Sequence, residues 1–180
     1  MKKVLSVLAV VAVVLMAFTS CQPKEKTYAE YLTQQTKGWV LQAATSSPDY
    51  EMSDGSFVTD IYNNYLYEWE RDYVIVFNEN GGQIVKPGKH VCPEGEQGFA
   101  AETSLGNWRV EEGVTIGDRT YDLLYMYIPF VFNNEGGVDL DACQIVTLDD
   151  NILQVKYTMN DDAPGAKGTY EWMLTYVPAK

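Results

Sequence analysis

The chain has 180 residues, roughly one domain's worth, and its 46% hydrophobic content is that of a globular protein. Thirteen Lys and Arg against 25 Asp and Glu give a formal charge of −12, which repels phosphate backbones and removes nucleic acid from the expected partners. One histidine and three cysteines leave too few ligands and bases for most metal-cluster and His-dependent catalytic designs, so neither a metal nor a cofactor is expected.

At the N-terminus, Lys2 and Lys3 precede an apolar run over residues 4–17, interrupted only by Ser6. A spanning helix needs about 20 apolar residues and a secretory h-region about 7 to 15, so residues 1–20 read as a signal peptide. The boundary Phe18-Thr19-Ser20-Cys21 resembles the lipobox of bacterial lipoproteins, in which a cysteine after small residues is acylated and becomes the mature N-terminus; Phe18 departs from the Leu that the pattern favours. The resemblance implies lipidation at Cys21 and a membrane partner through that anchor, with the chain tethered rather than spanning. The alternative is an ordinary secreted protein with Cys21 a spare thiol. Residues 21–36 read as the lipidated cysteine and a flexible tether, and 37–180 as the folded domain.

From Gly38 onward, short stretches rich in Val, Ile, Tyr, Trp and Thr recur between Gly, Asn and Asp clusters, which predicts an all-β domain. Residues 38–43 read as the opening strand, with a short strand near Phe57. Residues 60–72 have partly helical spacing and read as a short helix or loop capping one end. Residues 73–77 and 83–85 form a hairpin around Asn78-Glu79-Asn80-Gly81-Gly82. Residues 86–104 read as a long loop. A strand carries Trp108 and Val110, and residues 121–128 are apolar on both faces until Pro129. Residues 144–148 and 152–159 form a hairpin around Asp149-Asp150-Asn151. In residues 169–177, Tyr170, Trp172, Leu174 and Tyr176 alternate with mostly polar residues. About eight strands joined by short turns close most economically into an antiparallel up-and-down barrel, since closure removes exposed edges.

This order of features resembles the lipocalin-like domains of Bacteroidetes lipoproteins. Gly38-Trp39 matches their opening strand, Asp72 to Phe77 with Asn78-Glu79-Asn80-Gly81 their Asp-x-x-x-x-Phe-x-x-x-Gly stretch, Cys92 their loop cysteine, Gly106-Asn107-Trp108 a later Gly-x-Trp strand, and residues 145–153 their late hairpin. The resemblance implies a lipocalin-like, or calycin-like, barrel in an outer-membrane lipoprotein of the cell envelope. In relatives the loop cysteine has a partner at the place held here by Trp69, so Cys143 is the remaining partner for Cys92. Such a disulfide would close a loop of about 50 residues and contribute roughly 4 kcal/mol; the alternative is two unlinked thiols, Cys143 buried as a small hydrophobe.

Nothing in the acids singles out a catalytic pair. Glu68 and Glu70 flank Trp69 and read as a solvated face, and Asp139-Leu140-Asp141, Asp149-Asp150 and Asn160-Asp161-Asp162 read as turns rather than calcium loops. His90 and Cys92 would share a strand face, but two residues make no zinc site. No catalytic residue is assigned and no enzymatic activity is expected. The aromatics are either core or the wall of a cavity, and Trp39, Trp108, Tyr157, Trp172 and Tyr176 are the residues expected on such a wall. The leading expectation is a small apolar ligand held in the barrel without catalysis. Its rival is a structural module whose barrel-end loops dock another envelope protein or a glycan.

Overall fold

The computed structural model describes residues 25–133, 136–161 and 168–180. The signal segment and Cys21 lie outside the described residues. Among the described residues, ten strands and three short helices follow in the order α1 (Tyr28–Gln34), β1 (Trp39–Glu51), β2 (Phe57–Asp60), α2 (Ile61–Asn64), α3 (Glu68–Arg71), β3 (Val74–Phe77), β4 (Gly82–Lys86), β5 (Thr103–Asn107), β6 (Arg109–Ile116), β7 (Arg119–Phe132), β8 (Val138–Leu148), β9 (Leu153–Asp161) and β10 (Gly168–Pro178).

All ladders are antiparallel, and the sheet runs β5-β4-β3-β1-β10-β9-β8-β7-β6 with β2 beside β1, curling into a barrel-like body. The ends of that path, β5 and β6, are neighbours in the chain, separated only by Trp108. One bent strand therefore pairs with β4 through its first half and with β7 through its second, and it completes a circuit of eight staves. Gln83 on β4 ties the fork. Its fully buried side-chain amide donates to the Tyr127 carbonyl at 2.6 Å and accepts from the Tyr127 amide at 2.8 Å, so a side chain takes the place of a backbone pair between β4 and β7. Gly106 lies beside it with φ +142°, where a Cβ would come within 2.4 Å of the Tyr127 hydroxyl. The Gly-x-Trp motif thus serves the closure.

The predicted alternation holds in β10, where Tyr170, Trp172, Leu174 and Tyr176 are buried together with Leu153, Val155 and Tyr157 of β9. The 149–152 turn is held by Asp149, whose carboxylate accepts from the amides of Asn151 and Ile152 at 2.7 and 3.1 Å. Three departures have physical reasons. The tether gives way to a helix at Tyr28, because Thr27 and Glu30 form a reciprocal capping box and Leu32 is wholly buried. Strand β7 runs through Pro129 because its ladder with β8 is interrupted between Tyr127 and Phe132 and its ladder with β6 ends at Tyr125, so the missing N–H costs no pairing there. Asp139 and Asp141 lie within β8 rather than in a turn.

Helix α1 shuts one end of the barrel. The Tyr28 hydroxyl donates to Asp122 of β7 at 2.8 Å, the Trp39 indole donates to the Leu32 carbonyl at 3.1 Å, and Lys26, Gln34 and Gln35 all reach Asp150 in the β8–β9 turn. At the other end, α2, α3 and the 87–102 loop surround an opening.

Candidate functional site

That opening is a cleft of about 440 Å³ lined by Met52, Ser53, Tyr65, Tyr67, Glu70, Glu96, Gln97, Phe130 and Phe132. Residues from four parts of the chain meet there. Met52 and Ser53 follow β1, Tyr65, Tyr67 and Glu70 come from the α2–α3 stretch, Phe130 and Phe132 end β7, and Glu96 and Gln97 belong to the 87–102 loop. The loop is held down by aromatic contacts. The Phe99 ring stacks on Phe132 at 6.0 Å and meets Tyr73 edge-on at 5.7 Å, while the Phe99 amide donates to the Tyr73 hydroxyl at 2.8 Å. Gly98 permits this approach, since a Cβ there would stand 2.5 Å from the Tyr73 hydroxyl and 2.7 Å from the Cys92 sulfur.

Below the opening, buried aromatic rings of the described residues pack into the core. Tyr65 meets Tyr50 at 5.3 Å and Trp172 at 5.7 Å, Trp172 meets Tyr157 at 6.4 Å, and all belong to or abut one continuous core. Trp39, Trp108, Tyr157, Trp172 and Tyr176 are all buried in that core, and none of them lines the cleft. Trp172 comes nearest, one ring beneath Tyr65. The Trp172 indole N–H and the Tyr176 hydroxyl are buried without a hydrogen-bond partner among the described residues.

Glu70 is the residue whose expected place changes most. A strand would put Glu68 and Glu70 on one face, but in the helical turn α3 they diverge: Glu68 is exposed, and Glu70 is only 7% exposed and faces the cleft. Its carboxylate accepts from the Tyr67 amide at 2.8 Å, satisfying one free N–H at the start of α3. Burial pushes the acid up to about 7, against the smaller downward pull of that hydrogen bond. A second carboxyl, Asp141 on the buried face of β8, is raised to about 6 by burial and then by Asp139.

Cys92 and Cys143 are both free and buried, so the expected disulfide is not formed. Cys143 sits inside β8 with Leu124 opposite it on β7, in the barrel core, whereas Cys92 belongs to the loop beside Tyr73 and Gly98, its thiol turned to the carbonyls of Pro93 and Glu96. Burial raises both thiols, Cys143 far more. His90 turns from Cys92 to Asp72, which accepts from its backbone amide at 3.0 Å and meets its ring at 2.5 Å, in a separate cleft of about 210 Å³ with Tyr62, Glu68 and Arg71.

No family model, curated protein or solved structure matches the chain.

Proposed function

We propose that the chain is a membrane-tethered, lipocalin-like lipoprotein of the cell envelope that binds a small, largely apolar molecule at the mouth of its barrel and performs no chemistry on it. The observation that carries this reading is the mouth cleft: about 440 Å³, with Tyr65, Tyr67, Phe130, Phe132 and Met52 on its wall beside the polar Ser53, Glu70, Glu96 and Gln97. Its volume suits one small molecule. This reading puts the ligand at the rim rather than in the barrel interior, where the aromatics expected to hold it are buried in the core. Native mass spectrometry of the protein purified from its own host tests the reading. A retained molecule that is lost in Phe132→Ala supports it, and an empty protein whose cleft residues respond to no apolar probe overturns it.

A second reading has its own observation. Phe57 is 64% exposed and Tyr67 58% exposed, and Tyr67 stacks on Trp69 at 4.5 Å with the rings 7° apart. A flat, exposed aromatic face at a barrel end suits docking of a glycan or an envelope protein. Loss of sugar or protein binding in Phe57→Ala, which lies outside the cleft lining, with small-molecule binding intact, would favour it.

A further inference from the structure

We infer that the occupant of the mouth cleft is an organic cation: a small apolar body carrying an ammonium-type charge. This deepens the proposed function and rests on the cleft being a ligand site. The described residues that line it include two acids, Glu70 and Glu96, and no Lys, Arg or His. The remaining walls are mostly aromatic, and the faces of Tyr and Phe rings attract cations, most strongly where water is excluded.

Glu70 makes the inference specific. A carboxylate this deeply buried is costly unless paired. Its hydrogen bond is the Tyr67 amide, and among the described residues no base faces it. On its own helix Arg71 turns away, its guanidinium 5.5 Å over the Tyr62 ring, and Glu68 leans towards His90 at 3.8 Å; both line the other cleft. Tyr73 at the start of β3 and Cys92 and Glu96 of the loop are the titratable groups that face it from elsewhere. Tyr73 is pushed up to about 12 and the Cys92 thiol is raised, so at neutral pH both are uncharged and the charges that the described residues bring to the cleft are negative. A bound cation would supply the missing partner, stabilise ionised Glu70 and draw its protonation midpoint down. An anionic ligand would meet two like charges, and a neutral one would leave the carboxylate unpaired.

Three probes of one shape separate charge from fit: benzyltrimethylammonium, whose charge does not titrate; its neutral carbon isostere neopentylbenzene; and the anion benzylsulfonate. Binding to the full folded domain is followed by calorimetry and by NMR shifts at Tyr65, Tyr67 and Phe132. At pH 8.5 the cation is expected to bind about tenfold tighter than the isostere, the anion being weakest. The preference should shrink towards pH 5.5 as Glu70 takes up a proton. Glu70→Gln, which can still accept from the Tyr67 amide, should remove most of the preference and its pH dependence near neutrality while leaving neopentylbenzene binding in place; Glu96 and the ring faces account for the remainder. Glu96→Gln should reduce the preference without changing the midpoint near neutrality. Equal or tighter binding of the neutral or anionic probe, or a preference and pH dependence unchanged in Glu70→Gln, overturns the inference and leaves the ligand-binding reading standing. If none of the probes perturbs the cleft, both fall.

Discussion

Glu70 shows what one side chain does to both stability and recognition. Its folded-state pKa lies above that of an exposed glutamate, at about 7 rather than 4.5. Between those values the folded chain holds more protons than the unfolded one, so the residue's contribution to stability falls as pH rises through this window. Glu70→Gln should therefore stabilise the protein at pH 8, by about 1–2 kcal/mol with solvent screening allowed for. At pH 4 it should change little, and urea titrations at the two values check this. The sequence did not announce this acid. In single-letter terms it is one of 25 Asp and Glu, and only the helical turn at residues 68–71 separates it from solvated Glu68. The aromatics were legible as core or wall but not as which, because strand alternation assigns a face without saying whether that face meets another side chain or empty space. The thiols tell a similar story. With both cysteines free, denaturation without reductant should release Cys92 and Cys143 to a thiol reagent, and in the native fold Cys143 should react far more slowly than Cys92.

At the scale of elements, the join between β4 and β7 rests on an amide side chain. Gln83→Leu would leave the N–H and C=O of Tyr127 without their buried partner, at a cost of about 2–3 kcal/mol. Hydrogen exchange at the Tyr127 amide should quicken by more than at amides in β9 and β10, and equal acceleration everywhere would mean that the seam is not locally held. The strands and hairpins were readable because β-branched and aromatic residues alternate around Asn, Asp and Gly turns. Three elements were not. The far half of β1, Thr-Ser-Ser-Pro-Asp, has the composition of a turn but is held as a strand by β10 on one side and β2 on the other. Helix α1 is too short for periodicity to show, and only its capping box marks it. The start of β5, Thr103 and Ser104, reads as loop because it owes its conformation to the β4 ladder. In the two strands tertiary pairing outweighs local preference.

For the whole molecule, buried acids and net charge act in the same direction. Cleavage of the proposed signal peptide, residues 1–20, would take two lysines and no acid, leaving −14. Self-repulsion grows as the carboxyls ionise, and Glu70 and Asp141, raised to about 7 and 6, add destabilisation over the same range. The melting temperature should accordingly be higher at pH 5.5 than at pH 8, and salt should narrow the gap by screening the surface part only. Well below pH 4 the trend should reverse. There Asp54, Asp60 and Asp150, whose pKa values are lowered by hydrogen bonds from Ser56, Asn63 and Lys26, lose those interactions on protonation. A melting temperature that climbs steadily to pH 8 would contradict the burial of both acids.

The plug formed by α1 also sets a direction. The chain enters the barrel at the end that α1 shuts, beside the β8–β9 turn that Lys26 grips, and the cleft lies at the far end of the staves. A chain held by lipid at Cys21, five residues before Lys26, would stand on its closed base with the cleft facing outward from the bilayer. Its opening would then sample the surrounding aqueous space rather than the lipid headgroups, so an occupant would arrive from solution, as a dissolved molecule, and leave by the same route.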